Sequence, residues 1–246
     1  MAETPEHPKR VEAFVVRAEH IASGAEHHVP SWLRPGDPES RLPVLAALIV
    51  VIALQLSIPK SYTVVPRWPL IALEILLVVV LVGLNPLRLS RQTTFGRWAS
   101  YVLLAAITID NTLSALVLDI RILSGEVSNK AAVLLGSGGA IFVTNIIVFG
   151  IWFWELDRGG PFARREGAEE YPDFMFPQMT ERELAPPNWR PEFVDYLYVS
   201  ITNAVAFSPT DTMPMARWAK AMMTVQAVVS VTTLALVIAR AVNVLG

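Results

Sequence analysis

The sequence predicts an all-α, polytopic transmembrane helix bundle with five spanning helices and a re-entrant pore-like helix, or six spans if that helix crosses. Three observations carry this expectation. The chain is only 17% charged and 53% hydrophobic, with a mean hydropathy of +0.44, whereas soluble domains carry about a quarter charged residues. The apolar residues fall in blocks close to the roughly 20 residues that a helix needs to cross a hydrocarbon layer. Ahead of the last block, a helix-forming stretch ends in SPTDTMP, residues 208–214, whose first proline disfavours helix in the residue before it.

The expected organisation is an amphipathic segment over 1–40, four transmembrane helices over 41–155, a cytoplasmic loop over 156–190, and a pore-like module over 191–246. In the first segment Val11, Phe14, Val15, Ala18 and Ile21 share one side of a helical period, which reads as a helix lying on a membrane or on the protein. Its opening lacks the apolar run of a secretory signal, so insertion is expected to rest on a later, retained helix. All four histidines, His7, His20, His27 and His28, precede the first apolar block. Glu26, His27 and His28 read as a wet loop or a weak metal trio.

The spans are read as Pro43 to Pro59, Arg67 to about Pro86, Trp98 to Ile122, Ala131 to Trp154 and Trp218 to Val244. Trp68, Trp98, Tyr101, Trp152, Trp154 and Trp218 lie near block ends, where amphipathic rings are placed best. Basic residues concentrate before the first block, between the second and third, and after the fourth. That bias puts the N-terminus and the 156–190 loop on the cytoplasmic side of a cell membrane. A helix from Pro191 to Phe207 would be about 25 Å long, enough for a tilted helix that dips part-way.

Polar groups inside apolar blocks require an internal partner or water. Asp110 and Asn111 sit mid-block. They read either as a proton or ion site or as a packing contact, with Asn145 a candidate partner. Glu74 is near enough to its block's start to reach headgroups. Gly136, Gly138, Gly139 and Ala140 form a small-residue surface for close helix approach. Gln226, Ser230 and Thr233 form one stripe on the last helix, lining a pathway or bonding to neighbours.

The stretch YLYVSITNAVAFSPTDTMPMARWAKAMMTVQAVVSVTTLALVIARAVNVL resembles the pore-helix, filter and inner-helix module of potassium-channel-like proteins. It also resembles the C-terminal part of bacterial membrane proteins of the DUF1345 type. By position, Asp211 and Pro214 match the acidic residue and proline that follow a channel filter. Ser208 and Thr210 stand at the filter glycines, Pro209 at the intervening aromatic, and Val205 and Ala206 at the paired threonines. The resemblance implies a channel-like conduit for monovalent cations, with Ser208, Thr210 and Asp211 at its filter; read from the residues alone, Thr210, Asp211 and Thr212, supported by Thr202 and Asn203 and with Gln226 facing the path, suit a hydrated cation or a polar solute. A symmetric homo-oligomer, such as a tetramer, would surround its pore. The same residues also read as helix caps and turns, with Asp211 capping the last helix.

The alternatives kept open are a proton-coupled transporter centred on Asp110 and a non-conducting accessory membrane protein. Absence of cysteine excludes disulfides and thiolate chemistry. A net charge of −2 without a concentrated basic face gives no reason to expect nucleic acid. No Ser-His, Cys-His or metal-binding set lies inside the blocks, so neither an enzyme nor a cofactor is expected. The partner expected is the lipid bilayer.

Overall fold

The computed structural model describes residues 30–63, 67–84, 93–127, 130–205 and 211–245. The amphipathic segment, the histidines, Ser208, Pro209 and Thr210 lie outside the described residues. Among the described residues eight α-helices follow in order: α1 Leu42–Ser57, α2 Arg67–Leu84, α3 Thr94–Ser124, α4 Ala131–Leu156, α5 Pro161–Glu166, α6 Pro177–Thr180, α7 Phe193–Val205 and α8 Arg217–Leu245. Two short strands, β1 Phe174–Met175 and β2 Met213–Pro214, pair antiparallel with Phe174 opposite Pro214.

The expectation of five or six spans is overturned. Among the described residues three helices are long and apolar enough to cross a membrane: Thr94–Ser124, Ala131–Gly159 and Arg217–Val244. The other two apolar blocks form shorter helices, Leu42–Ser57 and Trp68–Gly83. Proline chemistry sets the first of these limits. Pro43 occupies the first turn of α1, and Ile58 turns extended (φ −74°, ψ 131°) ahead of Pro59. The remaining 16 residues rise about 24 Å, short of a hydrocarbon core of about 30 Å.

The re-entrant helix is corrected as well. α7 has 13 residues, about 20 Å of rise, and packs chiefly on α4 and α8. Tyr196, Val199 and Ser200 are buried in that contact. The helix starts at Phe193, where Asp195 accepts a hydrogen bond from the Glu192 N–H at 2.7 Å. It is a protein-packed helix, laid against the bundle by its own apolar face.

α4 is the central element, with 56% of its apolar window buried against 39% for α3 and 22% for α8. α3 is fixed at both ends, by the Thr93 side chain accepting from Gly96 N–H and by Gly125 in the left-handed region at φ 77°. The region 30–41 returns to the 157–192 side of the molecule. Ser31 Oγ donates to the Trp189 carbonyl at 2.7 Å, and Arg190 donates to the carbonyls of Arg34 and Pro35.

The expected small-residue surface on α4 resolves into one close contact. A Cβ at Gly138 would lie 2.7 Å from Val237 Cγ2 on α8, whereas Gly136 and Gly139 face open space. Gly138→Ala should therefore destabilise the fold by about 1–3 kcal/mol through overpacking. Gly136→Ala should be neutral or stabilising by up to about 1 kcal/mol from helix propensity. Thermal unfolding of the detergent-solubilised protein checks both, and Val237→Ala should rescue the first.

Candidate functional site

Inside an apolar bundle, a polar side chain must be satisfied by another polar group or by water. Three clusters meet that requirement differently.

The first joins α1, α2 and α3. The Gln55 side-chain amide donates to Glu74 Oε1 at 3.2 Å and to Asp110 Oδ2 at 3.5 Å. Gln55 and Glu74 are buried and Asp110 is half-buried. Glu74 thus points into the protein, although sequence reading had aimed it at the headgroups. Gln55, the amide inside the first apolar block, was not singled out. Its signal was the same as that of Asp110: a polar residue in an apolar run needs a partner. Asn111 is buried on the neighbouring face of α3, and its side-chain oxygen has no hydrogen-bond partner among the described residues.

The second cluster locks α4, α7 and α8 together. Asn145 Nδ2 donates to Ser230 Oγ at 2.7 Å and to the Gln226 carbonyl at 3.2 Å. Gln226 Nε2 donates to Ser200 Oγ at 2.6 Å, and Ser200 Oγ donates to the Ile146 carbonyl at 2.6 Å. Asn203 Nδ2 donates to Gln226 Oε1 and to the Met223 carbonyl, both at 2.8 Å. Asn145, Asn203 and Gln226 are therefore brought together, as neighbours that satisfy one another. Thr233 Oγ1 donates to Asp119 Oδ2 at 3.3 Å; Asp119 is a buried acid on α3 that sequence reading missed. Thr202 bonds back to the carbonyls of Tyr198 and Val199 in its own helix.

The third cluster ties off one end of the bundle. Asp157 is fully buried. It accepts from Tyr196 O–H at 2.6 Å and from the backbone N–H groups of Asp173 and Phe174 at 3.0 and 3.3 Å. Arg158 Nε lies 3.3 Å from it. Arg158 holds the left-handed conformation at φ 49°, and its N–H donates to Asp173 Oδ2 at 2.8 Å. The other Asp173 oxygen accepts from Trp218 Nε1 at 3.1 Å. Arg164 faces Glu39 at 3.2 Å and donates to the carbonyls of Trp154 and Asp157. Burial opposes the Arg164 cation, but the acidic groups around it, Tyr196, Glu39 and Asp157, outweigh burial and raise its pKa. Burial likewise raises Asp173 and holds Tyr196 well above the ordinary phenol value, which keeps it a donor.

Asp211 is exposed, next to the buried Thr212 and the strand that pairs with Phe174–Met175. Asp110 and Asp211 thus belong to separate parts of the structure. No family model, curated protein or solved structure matches the chain. Function rests on geometry.

Tyr196→Phe keeps the rings packed and strips one donor from the buried Asp157. Stability against heat or denaturing detergent should fall by about 1–3 kcal/mol. Thr202→Ala, which loses only bonds to its own helix, should change little, and parallel unfolding curves separate the two.

Proposed function

We propose that this is an integral membrane protein whose working centre is the carboxyl pair Glu74–Asp110, used to take up and release a proton in proton-coupled transport. The coarse half of that reading is structural: this is a helical protein with long, apolar, partly buried helices of the kind found in membrane-associated proteins. The finer half is carried by a single observation, that one buried amide, Gln55, reaches both carboxyls.

Two ionised carboxylates reached by one amide nitrogen repel each other where the dielectric constant is low. A proton on one of them relieves that repulsion. The two hydrogens of the Gln55 amide serve one carboxyl each, so the amide orients both without itself titrating. Asp110 is near the middle of the 31-residue α3, the depth at which transporter sites commonly lie. Among the described residues of the final third no such centre stands out, because Asn145, Asn203, Gln226 and Ser230 use their polar groups on one another. The end carrying Arg34, Arg41, Arg164 and Arg165 is placed on the cytoplasmic side by the Lys/Arg bias.

Infrared spectra of the protein in liposomes should show a protonated-carboxyl band that Asp110→Asn or Glu74→Gln removes. Proton flux driven by an imposed membrane potential should fall in either variant by about a hundredfold, the lower end of what a positioned proton-transfer group contributes. Unchanged flux in both variants would sink the reading. Potassium or sodium flux abolished by Asp211→Asn would return the function to the channel-like module.

A further inference from the structure

A second feature lies away from the carboxyl pair, at the end of the bundle where α1, α3 and α4 carry charged groups. A narrow cleft of about 50 Å³ opens between α1, α2, α3 and α4. Its walls are aliphatic, from Leu48, Val78, Leu103, Leu104 and Ile151, yet Arg41, Arg97 and Glu155 also line it. A wider recess of about 350 Å³ adjoins Arg97 on its other side, formed with Thr94, Trp98 and Tyr101. Arg97 is common to both.

The two basic groups are placed differently. Arg41 is nine-tenths buried and donates to the Leu81 carbonyl at 2.5 Å, which fixes a cation in the cleft wall. Arg97 is exposed, with Nε donating to Tyr101 O–H at 3.0 Å and the guanidinium 5.6 Å from the Tyr101 ring. Its terminal nitrogens have no acceptor among the described residues. Two guanidinium groups against one carboxyl, Glu155, leave the cleft with a net positive charge. Trp98 is 64% exposed beside it, an amphipathic ring at the level where headgroups meet chains.

We infer that this cleft and recess form a binding site for one anionic phospholipid. The phosphodiester sits in the wider recess against Arg97, a fork that suits phosphate oxygens. The first part of an acyl chain enters the aliphatic cleft, which is too narrow for a headgroup. Zwitterionic lipids bring a cation to the same place and are disfavoured by the cleft's own charge. Basic pockets between membrane helices recognise acidic headgroups in this way. The site shares only the membrane setting with the proposed proton function, so each stands or falls separately.

The test uses the full-length protein in phosphatidylcholine nanodiscs, titrated with phosphatidylglycerol or phosphatidylcholine carrying brominated chains, with tryptophan quenching as the readout. Trp154 lines the cleft and reports chain entry. The expected result is half-saturation at about fivefold lower mole fraction for phosphatidylglycerol, the equivalent of about 1 kcal/mol for one basic residue near the surface. Arg97→Ala should abolish that preference and Arg97→Lys should keep part of it, with proton flux unchanged in both. Equal quenching by the two lipids would overturn the inference, as would an undiminished preference in Arg97→Ala. So would displacement of the lipid by millimolar inorganic phosphate, which would show a free-anion site.

Discussion

A carboxylate with no route to solvent must be surrounded by donors, and Asp157 organises one end of this molecule because of that constraint. It sits where α4 ends, and its donors come from three other places in the chain: Arg158 in the exit turn, the backbone at 173–174, and Tyr196 on α7. Asp173 extends the tie to α8 through Trp218. Removing one donor leaves the charge under-satisfied, so the elements are held jointly. The left-handed Arg158 belongs to the same arrangement, since that backbone presents its N–H to Asp173. Phe174, fully buried, packs against Phe153, Tyr196 and Trp218 and keeps water from the polar contacts.

Once that end is tied, the register of α7 and α8 against α4 follows, and with it the hydrogen bonds among Asn145, Ser200, Asn203, Gln226 and Ser230. These groups lie about one to three helical turns further along the same interfaces. A shift of one residue would rotate each helix by about 100° and strip every partner. Gly138 against Val237 and Gly150 against Leu197 mark where backbones come closest, which lets such short side chains reach across. The polar stripe on α8 is therefore the means by which the last helix is docked.

Legibility of the fold tracked the range of the interaction. Helix positions followed from local apolar runs, glycine and proline, and all five apolar blocks are helices. Helix length did not follow for the first block, because hydropathy treats Ile58, beside Pro59, like the residues inside the helix, although the chain has already left it. Asn145, Asn203 and Gln226 were legible as polar residues in unfavourable surroundings. Their mutual pairing was not, since residues 81 apart, such as 145 and 226, carry no local sign of contact. Residues 156–190 read as a loop over the membrane face because their charges looked like a solvated surface. Asp157, Arg158 and Arg164 are instead buried, which only the three-dimensional pairing reveals.

The contrast between the two buried acid centres separates scaffold from chemistry. Asp157 has Tyr196 O–H and two backbone N–H donors in addition to a neighbouring guanidinium, so its ionised form is solvated by fixed dipoles. Glu74 and Asp110 both accept from the Gln55 amide, at 3.2 and 3.5 Å, the contact on which the proposed proton function rests. The shortness of the α1–α2 hairpin matters to that function. Gln55 lies five residues before Lys60, whose side chain is exposed at the hairpin tip. That path covers on the order of 10 Å of helix and extended chain. A full-length span would bury the pair under a further turn or two of apolar helix. Stopping α1 before Pro59 leaves a short stretch of chain between Gln55 and the exposed Lys60, while α3 continues 14 residues beyond Asp110, to Ser124. On the proposed reading, the feature that departs most from the sequence expectation, a helix pair too short to span, gives the Glu74–Asp110 pair a short route for its proton.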